Sequence, residues 1–184
     1  SPEKDPEAMY AAYERLATEY GIVIVDQPCE KTDYRVIRAT LMNKGMKENG
    51  AIFCHTQGWA IIAETLLGRG NRAYEYYKNY LPAAYNDRAE IRQIEPYVYC
   101  QSTIGKHSTR HGQSRVPWLS GTATWAYYTA TQYILGIQPD YQGLRIDPCI
   151  PADWDGFTVK RRFRGKALTI NVTNPNGVEK GVVK

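Results

Sequence analysis

The stretch ENGAIFCHTQGW, residues 48–59, decides how the chain is read. It sets one histidine, His55, between a glycine-broken polar loop and the start of an apolar helix predicted over about Gln57 to Leu67. Lys47, Glu48 and Asn49 crowd the approach with charge and amide groups before Gly50. Trp59, Ile62, Ala63, Leu66 and Leu67 supply the expected buried face, and Gly68 is the expected C-terminal cap. A histidine just ahead of a helix can hold an anion or a sugar hydroxyl. It can equally be a core residue that caps the helix, the commoner case for a lone histidine.

Working outward, Asp5-Pro6 is a capping aspartate followed by proline at the first helical position, and Met9, Ala12, Tyr13 and Leu16 recur at helical spacing up to a stop near Gly21. Ile22 to Val25 is a short β-branched run, and Arg35 to Gly45 is ambiguous between helix and extended chain. Beyond the central helix, Asn71 is the expected cap of a second helix that Pro82 stops, the two joined by Leu-Gly-Arg-Gly as a helical hairpin. Lys106 to Arg115 has loop composition. His107 and His111 within it are four apart, but Ser108, Thr109 and Gly112 argue against a helix, so a solvated basic loop is expected and no metal.

Ser120-Gly121-Thr122 opens a helix expected to run from Thr122 to Leu135, closed by Gly136 and apolar nearly all round. A hydroxyl, a glycine and a second hydroxyl at a helix N-terminus suit phosphate, because unpaired backbone N–H groups and the positive end of the dipole meet there. An ordinary serine cap is the alternative. After Ile137 the period changes: Leu144 and Ile146, Phe157 and Val159, and Leu168, Ile170 and Val172 alternate between turn signals, which predicts short antiparallel strands. Lys160, Arg162 and Arg164 form the solvated face of one of them. The class is therefore α+β, with a mostly helical part over 1–137 and a small β part over 138–184.

The totals bound the function. At 184 residues the chain buries one substantial core. Lys plus Arg is 23 against 19 for Asp plus Glu, a mild and scattered excess that gives no argument for nucleic acid. No apolar run approaches the roughly 20 residues of a membrane span, and no signal peptide is seen, so a cytoplasmic location is expected. Fifteen tyrosines and four tryptophans suit sugar faces as well as a helical core. Cys29, Cys54, Cys100 and Cys149 show no paired spacing and read as free thiols.

Seven strings together, ENGAIFCHTQGW, AETLLGRG, AYEYY, EPYVYCQ, WLSGTATW, YILGIQPDYQGLRIDPCIP and WDGFTVKRRFRG, resemble the C-terminal part of the inverting disaccharide phosphorylases of glycoside hydrolase family 94. The resemblance runs in order from about Lys44 to Asn174 and is faint before Lys44. It implies the last helices of an (α/α)6 barrel followed by a small β domain. It also implies reversible phosphorolysis of a β-linked gluco-oligosaccharide, of cellodextrin, cellobiose or laminaribiose type, to α-glucose 1-phosphate.

By that resemblance His55, Ser120 and Gly121 match phosphate-binding positions, Gln101 matches a residue on the transferred glycosyl unit, and Lys47 one near the leaving sugar. Leu41-Met42-Asn43 stands where cellobiose phosphorylases tend to carry a tyrosine in a Tyr-Pro-rich loop, a departure that counts against cellobiose itself. Glu48 and Glu95 are carboxylates that the pattern does not assign to proton donation. The family's general acid, an aspartate on an earlier helix, has no counterpart in these residues. The expectations are therefore a part of a larger enzyme with no catalytic residue of its own, no cofactor beyond phosphate as substrate, an N-terminal part supplied elsewhere, and a homodimer. A carbohydrate-binding module without chemistry and a chitobiose-type phosphorylase are the alternatives.

Overall fold

A computed structural model describes residues 5–118 and 120–182. The helix announced by Asp5-Pro6 forms as α1 (Asp5–Leu16) and lies on the core through Met9 and Tyr13. A two-residue hairpin follows, β1 (Ala17–Thr18) with β2 (Gly21–Ile22), so only the first residue of the β-branched run is strand, while Val23 is fully buried. The ambiguous stretch is mostly irregular, with one 3-10 turn at Arg38–Leu41.

Strand β3 (Ile52–Phe53) then leads without a break into α2 (Cys54–Leu66). The helix starts three residues before the expected Gln57, which puts His55 inside its first turn rather than ahead of it. Two side chains bond back across this start: the Thr56 hydroxyl and the Gln57 amide both donate to the Phe53 carbonyl, at 2.9 and 3.1 Å. The buried face also differs from the expectation. Cys54, Gln57, Gly58, Ile61, Glu64 and Thr65 are buried, whereas Trp59 and Leu66 are 57% and 71% exposed. Gln57 explains why a polar side chain can lie inside: its amide accepts from Ile22 N at 2.8 Å and donates to Ile22 O at 3.0 Å, completing both backbone groups of the β2 edge. Gly68 caps α2 as expected, with Gly68 N–H on Thr65 O and Arg69 N–H on Glu64 O.

The hairpin partner α3 (Gly70–Tyr80) starts one residue before Asn71, and Asn71 is not its side-chain cap. The Asn71 carboxamide instead accepts from Ala152 N at 3.0 Å, and the Asn71 N–H at the helix start is met by the Glu179 carboxylate at 2.8 Å. The positive end of α3 is thus neutralised from the far end of the chain. A 3-10 segment (Pro82–Arg88) and α4 (Ala89–Arg92) lead to β4 (Cys100–Thr103) and β5 (Ser114–Pro117). Strands β3, β4 and β5 form one antiparallel sheet in that order, with Ile52 opposite Thr103 and Cys100 opposite Pro117.

Helix α5 (Thr122–Thr129) passes into one π turn (Ala130–Ile134) before Gly136. It is not buried all round: Thr122, Ala126 and Thr129 are buried, and Tyr127 is 73% exposed. Its close contact with α2 depends on Gly58, where a Cβ would lie 2.9 Å from Thr129 Oγ1 and 3.5 Å from the Trp125 ring. The predicted strands follow as two hairpins, β6 (Ile137–Pro139) with β7 (Leu144–Ile146), and β8 (Gly156–Phe163) with β9 (Lys166–Thr173). Arg164 and Gly165, at φ +50° and +78°, make the tight turn of the second, and Lys160, Arg162 and Arg164 are solvated. Helical and β parts share one core in which Ile61, Tyr76, Ala126 and Ile150 are buried, with Trp154 and Phe157 packed against it.

The contact between α3 and the β part is tight enough to test. A Cβ on Gly70 would lie 2.1 Å from the Ile150 carbonyl oxygen, a backbone atom that cannot swing aside, whereas one on Gly143 meets nothing within 4 Å. Gly70→Ala is expected to cost about 1–3 kcal/mol and Gly143→Ala within about 0.5 kcal/mol of nothing. Urea midpoints of the two variants check this, and equal midpoints contradict the contact.

Candidate active site

The sheet β3-β4-β5 brings the two phosphate candidates together from 65 residues apart. His55, one residue into α2, turns its ring edge-on to Phe53 at 5.0 Å between centroids. Its Nε2 lies 3.1 Å from Ser120 Oγ and accepts the Gly121 N–H at 3.1 Å. The Gly121 N–H points at Nε2, so that ring nitrogen is the acceptor of this contact. Gly121 itself is exposed at the start of α5.

A carbonyl on β4 holds the other side of this cluster. The Thr122 hydroxyl donates to Cys100 O at 2.8 Å, and Ser120 Oγ lies 3.2 Å from the same oxygen. Ser120 Oγ also accepts from Thr122 N at 3.0 Å and sits 2.5 Å from Thr122 Oγ1. Ser120 therefore stands one residue ahead of the helix cap Gly121 and bonds into the first turn. Its single proton has three acceptors in reach, so the hydroxyl can be redirected at little cost. Thr122, the second hydroxyl of the expected helix start, has no exposed surface; its bond to the Cys100 carbonyl is what the sequence did not reveal. Leu119 of the WLSGT string lies outside the described residues.

Lys47 and Gln101 form a second pair. Gln101 follows Cys100 directly on β4, and Lys47 Nζ donates to its Oε1 in a short contact. Lys47 sits at φ +46°, an unusual conformation for a residue with a side chain. The turn that imposes it is pinned by Asn49, which is fully buried and bonds Met42 O at 2.9 Å, Cys29 O at 3.2 Å and Cys29 N at 2.6 Å. Asn49 is thus the clamp of the ENG loop, a role its crowded neighbourhood only hinted at.

The remaining candidates separate from this cluster. Glu48 is exposed. Glu95 accepts from Trp118 Nε1 at 3.1 Å, and its own backbone N–H together with that indole holds its carboxyl below the usual range, the wrong direction for a proton donor. Among the described residues no carboxylate hydrogen-bonds to His55, Ser120 or Gly121. His107 Nε2 bonds Asp26 O at 2.6 Å, and His111 packs edge-on against Tyr20 at 4.9 Å, where burial pushes its pKa down. The described residues include no group of three His, Cys, Asp or Glu placed to hold a metal ion. No described helix is long and apolar enough to cross a membrane.

Comparison with known proteins places the chain in a family. Residues 138–180 match the family model described as glycosyl hydrolase family 65, C-terminal domain. An N,N'-diacetylchitobiose phosphorylase of Vibrio furnissii is 44% identical over 99% of this chain, and a solabiose phosphorylase of Paenibacillus borealis is 32% identical over 98%. A cellobionic acid phosphorylase of Neurospora crassa is 27% identical over 96%. The chain spans 23% of the length of each of these relatives. Residues 1–136 match the model of the glycosyl hydrolase 94 superfamily, catalytic domain. With most of its length under that match, the chain belongs to the glycosyl hydrolase 94 superfamily.

Proposed function

We propose that this chain is a C-terminal part of an inverting glycoside phosphorylase and supplies its phosphate cradle. The reading rests on His55 Nε2, which lies 3.1 Å from both Ser120 Oγ and Gly121 N. These groups bond one another, and each can exchange its partner for a phosphate oxygen. Gly121 N–H and the Ser120 hydroxyl donate to the anion at the positive end of α5, while the P–OH of hydrogen phosphate donates to the unprotonated Nε2. Held in this way, phosphate attacks the anomeric carbon from the face opposite the leaving oxygen. A carboxylic acid outside these residues protonates that oxygen. Gln101 lies one residue along β4 from Cys100 and is bonded by Lys47 from the preceding turn, where hydroxyls of the two sugar units would meet them. The helical part then closes an (α/α)6 barrel, and 138–184 forms the β domain beside it, in a cytoplasmic homodimer.

The sugar is the finer part of the proposal. The higher identity to diacetylchitobiose phosphorylases than to the cellobionic acid enzyme favours a β-linked N-acetylglucosamine disaccharide over the cellodextrin, cellobiose or laminaribiose type. The exposed Leu41 and Met42, in place of an aromatic acceptor loop, are compatible with that change. The products are α-N-acetylglucosamine 1-phosphate and N-acetylglucosamine.

In the full-length protein, Ser120→Ala and His55→Ala are each expected to raise the phosphate KM on the order of tenfold or more, while Ser120→Thr keeps it within about threefold. An unchanged phosphate KM in both alanine variants sinks the cradle. On a panel of disaccharides and phosphate, diacetylchitobiose should be preferred by about a hundredfold; equal turnover of cellobiose overturns the sugar assignment and leaves the cradle standing. The isolated 184 residues should release no sugar 1-phosphate.

A further inference from the structure

Two thiols lie directly behind the cradle, and the proposed chemistry uses neither. Cys54 Sγ and Cys100 Sγ are 3.6 Å apart, on residues 2% and 3% exposed. Cys54 immediately precedes His55, and the Cys100 carbonyl is the oxygen that anchors Ser120 and Thr122. The Thr103 hydroxyl completes the group, 3.5 Å from Cys100 Sγ and 3.8 Å from Cys54 Sγ. Each thiol thus belongs to one half of the cradle, one on α2 and one on β4.

From this placement we infer that Cys54 and Cys100 are a reversible thiol–disulfide pair, oxidised by hydrogen peroxide, whose closure disarms the anion site. The thiolate of Cys100 attacks one peroxide oxygen, the O–O bond breaks, and the products are a sulfenic acid on Cys100 and, after proton uptake, one water. Cys54 then attacks that sulfur; the S–S bond forms, the S–O bond breaks, and the hydroxyl leaves as a second water with the Cys54 proton. Two thiols lose two electrons and two protons, and one peroxide becomes two waters.

The pair is asymmetric in the sense this order needs. Hydrogen bonds from the Cys54 thiol and the Thr103 hydroxyl lower the Cys100 pKa against the effect of burial, whereas contact with Cys100 and burial push Cys54 up. Burial restricts the oxidant to one little larger than water, and it holds the resolving thiol in contact with the first-oxidised sulfur. Closing a bond of about 2.05 Å from the present 3.6 Å brings the two sulfurs about 1.5 Å closer, a change that side-chain rotation shares with movement of the start of α2 against the Cys100 segment. His55 Nε2, Ser120 and Gly121 then no longer keep the spacing on which three-point capture of phosphate depends. The coupling to phosphate rests on the cradle reading above; the disulfide does not.

The test is peroxide treatment of the full-length protein, trapping of remaining thiols with iodoacetamide, and non-reducing peptide mapping beside phosphate saturation kinetics. The expected result is a peptide pair linked through Cys54 and Cys100 and a phosphate KM raised on the order of tenfold. Both should be reversed by dithiothreitol over hours, through local openings that expose the bond, and neither produced by glutathione disulfide within the minutes of a peroxide pulse. Cys54→Ser and Cys100→Ala should each abolish the link, and the reversal in wild-type protein needs neither variant. Absence of the linked pair under peroxide overturns the inference whatever the protein does with phosphate. A linked pair with an unchanged phosphate KM overturns the coupling. A protein that forms the link but never uses phosphate refutes the function proposed above and leaves the redox pair intact.

Discussion

The Cys100 carbonyl, receiving the buried hydroxyl of Thr122 at 2.8 Å, fixes the start of α5 against the middle strand of the sheet. Each part of the candidate site is referenced to that bond. Ser120 and Gly121 precede Thr122 in the chain, His55 arrives from the strand on the other side of β4, and Gln101 is the next residue after Cys100. A hydrogen bond with one fully buried partner has no water to replace it, so the two elements cannot part without leaving polar atoms unsatisfied. The site's stiffness follows from its location between two helix starts and a strand, rather than from any covalent or metallic tie.

What could be read from the sequence was local. Asp5-Pro6 announced α1, Gly68 ended α2, and alternating apolar residues gave β8 and β9, because caps, turns and period-two patterns act over a few residues. The face that α2 buries was not legible in the same way. Counting apolar side chains selected Trp59, Ile62 and Leu66, but the helix turned inward the face carrying Gln57, Gly58 and Glu64. Two distant facts decide that rotation: Gln57 completes the edge of β2 at Ile22, and Gly58 alone admits α5. Neither fact is visible in a window of residues around the helix. The start of α2 was misplaced as well, and there Thr56 and Gln57 bond back to Phe53 instead of forming a conventional cap.

The candidate site was legible through family resemblance more than through chemistry alone. His55 and Ser120 each had an ordinary structural reading on their own, and the structure holds both in structural bonds while bringing them together. Ser120 does bond into the first turn of α5, and the His55 ring is partly packed against Phe53, yet their polar atoms converge with an exposed backbone N–H. The bonds made by Thr122, Asn49 and the Cys100 carbonyl were not foreseen because they act through neighbours. A buried hydroxyl, a clamping carboxamide and a main-chain oxygen leave no spacing pattern for a reader of sequence to find.

The carboxylate that closes the N-terminus of α3 has a further consequence, one of timing. Glu179 follows Asn71 by 108 residues, and synthesis at about 5–20 residues per second leaves roughly 5–20 s between the two. Through that interval the groups that close the α3 N-terminus and pack on Gly70, Glu179 and Ile150, are not yet both present. One end of the hairpin is thus completed locally, by the Gly68 cap of α2, and the other only by residues made much later.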